Sequence, residues 1–305
     1  MARRKLLWQS KLVLLAVLPF AAASLILQAH WWATQSAPVA IWTLGLSLLL
    51  GLVVLKLRAA TPFAAATGVV ITASLMFSTV IFPYRPWQTA LVPVLAVSLL
   101  AWSATRLGRA QKERLGTAEQ RHGRSASQVA ANLGVAALVS SEVVQSWLTD
   151  SRWFTQVTPA PMLLFAVALA ALAEAAADTV SSEIGQVIGG RPRMITTFRQ
   201  VEPGTDGAIS MAGSLAGAGA AVIVAALGTL ALQGGPVMFW VSCAAALFGL
   251  FFDSLLGATL ERRGWLNNDA VNFLSTASAA AFAFGLLAVL SHSGVGQSSG
   301  ILLTW

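Results

Sequence analysis

The chain has 305 residues, of which 56% are hydrophobic and only 10% charged, a composition that excludes an ordinary soluble core and places it among integral membrane proteins. Nineteen Lys and Arg against twelve Asp and Glu leave a formal net charge of +7. That excess is spread over short loops between apolar runs, so it reads as anchoring to anionic lipid and excludes nucleic acid as a partner. The single cysteine, Cys243, falls inside an apolar run, which leaves no disulfide framework and no thiolate metal site.

Apolar segments begin near Lys11, Pro38, Pro62, Trp87, Ser127, Pro159, Ala208, Pro236 and Asp269, each close to the roughly 20 residues that a helix needs to cross a bilayer. The predicted fold is all-α, a polytopic membrane bundle of about nine transmembrane helices. With the N-terminus in the cytoplasm, 17 of the 19 basic residues fall in inner segments and only Arg85 and Arg152 fall outside, the bias that orients membrane proteins. An odd number of spans then leaves the C-terminus outside. Trp8, Trp102 and Trp265 fall at the inner boundary, and Trp31, Trp32, Trp42, Trp87, Trp147, Trp153 and Trp240 at or near the outer one, as two interfacial belts require. The start, MARRKLLWQSK, reads as a signal anchor that stays in place, because no small-residue cleavage site precedes His30.

In chain order, residues 1–105 hold four spans with almost no intramembrane charge and read as a scaffold, with Pro83, Pro86 and Pro93 punctuating the outer turn and kinking the fourth span. Residues 106–124 form a charged, partly helical cytoplasmic loop, a solvated linker in its first half. Residues 125–305 form a five-span region with a cytoplasmic loop at 179–207. Ser125 reads as the N-cap of the fifth span, and Asn132 on its first turns calls for either an interhelical hydrogen bond or a ligand. Glu142 is placed structurally in the outer part of that span. The sixth span is alanine-rich and the seventh carries Gly213 and Gly217, a small-residue face that lets backbones approach. Asp253 lies near the inner end of the eighth span, and Asp269 or Asn268 caps the ninth, with Asn272 one turn inside.

Glu174 and Asp178, four residues apart, share one helix face at the inner end of a span, where ionisable groups are expensive and usually functional. The inner ends of four spans thereby bring Asn132, Glu174, Asp178, Asp253, Asn268 and Asn272 to one depth. Three readings fit. One is a magnesium and phosphate site: Gly185, Gly189 and Gly190 turn backbone N–H groups toward an anion, and the turn at Gly204-Thr205-Asp206-Gly207 offers a second such cradle. In it, Arg191, Arg193 and Arg199 neutralise phosphate, and Asp178 with Glu183 or Asp253 holds Mg2+. Another is an ion-coupled transporter. The last is a scaffold whose charges pair, Asp178 with Arg193 or Glu183 with Arg191.

Four blocks, QVAANLG, AEAAADTVSSEIG, PRMITTFRQVEPGTDGAIS and FFDSLLGATLERRGWLNNDAVNFLS, in this order over Arg121 to Ala281, resemble the integral-membrane family that contains plant phytyl-phosphate kinase and its transmembrane relatives. More distantly, Asp178 to Gly190 followed by Glu202-Pro203-Gly204-Thr205 is similar to the nucleotide motif of CTP-dependent dolichol and polyprenol kinases. The resemblance implies a kinase that converts an isoprenyl monophosphate lipid to its diphosphate at the cytoplasmic face, with CTP favoured among nucleoside triphosphates. On that expectation Asp178, Glu183 and Asp253 are catalytic and hold magnesium. Gly185, Gly189, Arg191, Arg193, Thr196, Thr197, Arg199, Gly204 and Thr205, with Asn132, Asn268 and Asn272, contact phosphates. A prenyl-alcohol substrate would demand a base, and Glu174 is the candidate; a cytidylyltransferase is the remaining alternative.

Overall fold

A computed structural model of the chain describes residues 7–117, 123–150, 161–188 and 190–292, with backbone alone at 147–150, 161–163 and 292. The expectations for Arg3, Arg4, Lys5, Arg121, Arg152, Trp153, Gly189, the C-terminal end and the Trp147 side chain lie outside the described residues.

Helices form at every one of the expected apolar segments. In chain order they are α1 (Leu7–Gln35), α2 (Ala37–Lys56), α3 (Pro62–Ser78), α4 (Leu91–Arg106), α5 (Arg109–Leu115), α6 (Ala126–Ser140), α7 (Glu142–Asp150), α8 (Pro161–Ile188), α9 (Met211–Ala231), α10 (Pro236–Leu256) and α11 (Asn268–His292). The one addition to the all-α reading is a two-residue antiparallel pair, β1 (Arg193–Met194) with β2 (Ala208–Ile209), inside the loop that joins α8 to α9.

Among the described residues, fewer than nine helices are long and apolar enough to cross a bilayer. Six of the described helices, α1, α2, α8, α9, α10 and α11, are long and apolar enough to cross a bilayer, and α4 with α5, bent by 66°, make a seventh if taken as one span. Helices α3 and α6, with 17 and 15 residues, fall short of the roughly 20 that crossing takes. Their apolar character has another cause. Helix α6 is enclosed by α1, α3, α8 and α11, so protein rather than lipid surrounds it and its length need not match the bilayer. It stops at Ser140 because Ser141 is extended and its hydroxyl accepts from the Val144 N–H at 3.3 Å. Glu142 therefore opens a separate helix instead of continuing the fifth span.

Helix α8 is the central post, packed against α4, α6, α9, α10 and α11. Buried alanines, among them Ala166, Ala170, Ala173, Ala176 and Ala177, let its neighbours approach closely enough for dispersion contacts to hold them. A Cβ added at Gly217 would stand 2.7 Å from the Ala177 carbonyl oxygen, and one at Gly213 would stand 2.7 Å from that of Ser181. The small-residue face of α9 is thus the seam with α8, as expected. Gly185 belongs to the same seam, facing Gly213. Because no breaker interrupts SSEIGQVI, α8 continues through Ile188, and residues 179–188 of the expected loop are helical. Gly185 is accordingly a helix-packing residue and not part of a phosphate-binding turn.

The ends of several helices are fixed by local chemistry. Ser125 and Gln128 form the capping box of α6, with the Gln128 N–H donating to Ser125 Oγ at 3.2 Å and the Ser125 N–H to Gln128 Oε1 at 2.7 Å. At α11 the cap is Asn267, whose Oδ1 accepts from the Ala270 N–H at 2.9 Å, rather than Asn268 or Asp269. Asp269 instead accepts from Ser10 Oγ at 2.6 Å, and Gln9 Nε2 donates to the Trp265 carbonyl at 2.8 Å. These bonds tie the start of α1 to the turn before α11.

Candidate active site

Helix α8 carries the acids of the site. Glu174 is fully buried where α8 meets α10 and α11, and Gly249 on α10 makes room for it, since a Cβ there would stand 2.5 Å from Glu174 Cγ. Neither Glu174 carboxylate oxygen has a hydrogen-bond partner. One turn further, Asp178 meets Asp253 of α10 carboxyl to carboxyl, and Asp253 in turn lies within electrostatic reach of Glu174 and Glu261. Asp253 Oδ2 is also buried without a partner. Ser275 of α11 stands beside both Glu174 and Asp253, yet its hydroxyl donates to the Asn272 carbonyl at 3.0 Å.

The cation that offsets Asp178 is Arg124, which immediately precedes the α6 cap and donates to Thr179 Oγ1 at 3.5 Å. Deeper in the bundle, Asn272 Nδ2 donates to Asn132 Oδ1 at 3.2 Å, the interhelical bond that was one of the two alternatives for Asn132. Past Asp253, α10 runs into a π-helical turn, Gly257–Glu261, a feature frequent at functional sites. The loop before α9 rests on that turn. At Gly207, with φ +75, an added Cβ would stand 2.2 Å from the Ala258 nitrogen, so only glycine suits both the backbone angle and the contact.

Other expected partners are arranged differently. Glu183 pairs with Lys112 of α5 at 2.5 Å and accepts from Thr105 Oγ1 at 3.3 Å. Lys112, only 1% exposed, also donates to the carbonyls of Ala104 and Thr105 at 2.7 and 3.3 Å, closing the C-terminal end of α4. Residues 106–114 are therefore not a solvated linker throughout, and neither Asp178 with Arg193 nor Glu183 with Arg191 forms. Arg191, Arg193, Thr196, Thr197, Arg199 and Gly204 are exposed on the α8–α9 loop, where Arg193 Nη1 donates to the Phe198 carbonyl at 2.9 Å and Thr205 Oγ1 to the Glu202 carbonyl at 2.7 Å. Asn268 is exposed at the start of α11. The structure thus gathers Glu174, Asp178 and Asp253, with Asn132 and Asn272 bonded to each other deeper in the bundle, and leaves the loop arginines, Thr196, Thr197 and Asn268 exposed. Among the described residues, no three His, Cys, Asp or Glu side chains form a ready-made metal cage.

A cavity of about 150 Å3 lies beside the cluster, among α2, α3, α4 and α6. Its walls are largely apolar and its polar end carries Arg58, Arg106, Arg109 and Arg124, with Asn132 further along the lining. Arg124 and Asn132 therefore belong both to the cavity and to the surroundings of the acids. Lys112, Ser275, Glu261 and the cavity arginines lie in or beside the candidate site without having been singled out for it from the sequence. Lys112 sits among other charges in RAQKERL and Ser275 among small residues in STASAA, where no period singles either out. Only Arg124 had a signal, its place beside a helix cap.

A family model described as integral membrane protein DUF92 matches residues 45–280, a range that takes in the cavity and all the acids of the cluster and reaches further toward the N-terminus than the four blocks. An uncharacterized membrane protein of Methanocaldococcus jannaschii is 44% identical over 108 residues, 35% of this chain and 45% of that one. A second uncharacterized membrane protein, from Synechocystis, is 32% identical over 210 residues, 66% of this chain and 74% of that one. Protein VTE6, chloroplastic, of Arabidopsis thaliana is 31% identical over 186 residues, 60% of this chain and 54% of that one. The chain thus spans about half the length of the archaeal and plant relatives. No solved structure matches it.

Proposed function

The chain belongs to the integral membrane family DUF92, and on that premise we propose that it is a lipid phosphate kinase, transferring a phosphoryl group from a nucleoside triphosphate, CTP favoured, to an isoprenyl monophosphate. The observation that carries the reading is the contact of Asp178 with Asp253, beside a cavity that ends in arginines. The family resemblance to plant phytyl-phosphate kinase supports the choice of acceptor. With the basic loops on the cytoplasmic side, the site opens there.

The chemistry asks little of a general base. A phosphate monoester has a second pKa near ~6, so its attacking oxygen is ionised at neutral pH. That oxygen bonds to the γ-phosphorus, the bond from the γ-phosphorus to the β–γ bridging oxygen breaks, and the nucleoside diphosphate leaves with the electron pair. Positioning and charge neutralisation carry such a transfer. Asp178 and Asp253 would hold magnesium, which takes one or two carboxylates and fills its shell with phosphate oxygens and water; the unpartnered Asp253 Oδ2 fits that role. When bound, the metal neutralises phosphate charge. Glu183, already held by Lys112, positions α5 against α8 rather than joining the metal set. Arg124 offsets the acceptor, and the exposed Arg191, Arg193, Arg199, Thr196, Thr197 and the Gly204-Thr205 turn receive the triphosphate.

A second reading, the ion-coupled transporter, draws on one observation, the buried and unpartnered Glu174. Purified protein in detergent, given labelled CTP, ATP, GTP or UTP with magnesium and either geranylgeraniol or its monophosphate, separates the readings. Diphosphate product from the monophosphate is the expected result. A nucleotide-linked lipid would indicate a cytidylyltransferase, phosphorylation of the alcohol alone a prenyl-alcohol kinase with Glu174 as base, and ion flux in liposomes without turnover a transporter.

A further inference from the structure

The cavity among α2, α3, α4 and α6 has a composition of its own. Leu50, Val54, Val94, Val97 and Val129 line its body, its polar end holds Arg58, Arg106, Arg109 and Arg124, and among the described residues no carboxylate lines it. The backbone brings two of these arginines together from distant parts of the chain. The Thr61 N–H donates to the Arg124 carbonyl and the Arg124 N–H to the Ala59 carbonyl, both at 3.0 Å. Gly123 permits that approach: its φ is +76, and an added Cβ would stand 2.4 Å from the Ala59 carbonyl carbon. Arg58, beside this clamp, has a φ of 52, a left-handed backbone that long side chains adopt at a cost and that recurs at ligand sites.

The other two arginines come from the bend between α4 and α5. Arg106 donates to the Leu57 carbonyl at 2.9 Å and stacks over Trp102 at 4.5 Å, while Arg109 shares Glu113 at 3.0 Å on the exposed side. Trp102 lines the cavity too, and its indole N–H is buried without an acceptor, an unmet donor that a native structure normally satisfies. Clustered guanidiniums, a waiting N–H and apolar walls complement an amphiphile with an anionic head. Helices α2 and α4 make little contact with each other, so a hydrocarbon tail can leave between them into the bilayer.

We infer that this cavity binds a single-chain lipid phosphate monoester, its phosphate held among Arg58, Arg106, Arg109 and Arg124 and its first carbons laid along Val54, Val97 and Val129. The inference rests on the kinase reading only in treating that lipid as the acceptor; binding itself needs neither nucleotide nor turnover. The first four apolar helices are then more than scaffold, because three of them build the acceptor site.

The test is a titration of the full chain in nonionic detergent, without nucleotide or magnesium, with dodecyl phosphate, dodecanol and inorganic phosphate. Saturable binding of dodecyl phosphate, about tenfold or more tighter than either fragment, is expected. Arg58→Gly should weaken it about tenfold, the loss of one charge-assisted hydrogen bond, while the ligand-free melting temperature holds or rises, because glycine suits a positive φ. Gly68→Leu should abolish binding by filling the cavity, since the nearest atom to a Cβ there is Val129 Cγ1 at 3.9 Å. Wild-type affinity for dodecyl phosphate in both variants would overturn the inference, as would inorganic phosphate binding equally well. If the expected pattern appears but no nucleotide is ever turned over, the cavity stands and the kinase reading fails. If transfer to a prenyl monophosphate is intact in both variants, the cavity assignment fails and the kinase reading stands.

Discussion

Glu174 and Gly249 form one unit whose two members respond to substitution in opposite directions. A carboxylate buried without a hydrogen-bond partner costs more stability than a neutral amide of the same shape, so Glu174→Gln should raise the melting temperature in detergent, by an amount worth roughly 1–3 kcal/mol. Transfer to an isoprenyl monophosphate should survive this change, and phosphorylation of a prenyl alcohol should not. Gly249→Ala does the reverse. Its new methyl would stand 2.5 Å from Glu174 Cγ and 2.9 Å from Ala279 Cβ, and overpacking of that kind costs about 1–3 kcal/mol, visible as a lower melting temperature.

At this scale the sequence was legible where a residue's role is local. Ser125 stood before an apolar run and is the cap; Asn132 lay inside a helix, needed a partner and has one in Asn272. Lys112 and Ser275 were hidden, because what makes them matter is contact with α8 and α11, which adjacent residues do not encode.

Among the elements, α5 shows how a short polar helix is held. Its Lys112 is buried between the α4 carbonyls and Glu183 of α8, and removing one partner of a buried pair costs about 3–5 kcal/mol. Lys112→Met should therefore loosen the bend between α4 and α5, read as faster proteolysis within residues 107–117 together with a lower midpoint in chemical denaturation. Hydropathy located each long helix but not its surroundings. Helices α3 and α6 are apolar because other helices cover them, and a hydropathy window cannot tell protein from lipid. Likewise SSEIGQVI carries enough polar residues to read as loop, while its contact with Gly213 keeps it helical to Ile188.

Across the whole molecule, the acids come from the C-terminal part of the chain and most of the cavity arginines from the N-terminal part, and they meet through Arg124. That meeting depends on a backbone clamp between residues 59–61 and Arg124, a long-range pairing with no pattern in the sequence. It joins the N-terminal helices that line the cavity to the helices that carry the acids. On the proposed function, Asp178, touching Asp253 and offset by Arg124, organises phosphoryl transfer.

The most direct measurement compares wild type and Asp178→Asn, purified in the same detergent and given magnesium, labelled CTP and geranylgeranyl monophosphate. Diphosphate is expected from the wild type and a rate lower by about a hundredfold or more from the variant, with both proteins inserting and eluting alike. An Asp178→Asn protein that is equally well folded and keeps most of the wild-type transfer rate would rule out that role for Asp178.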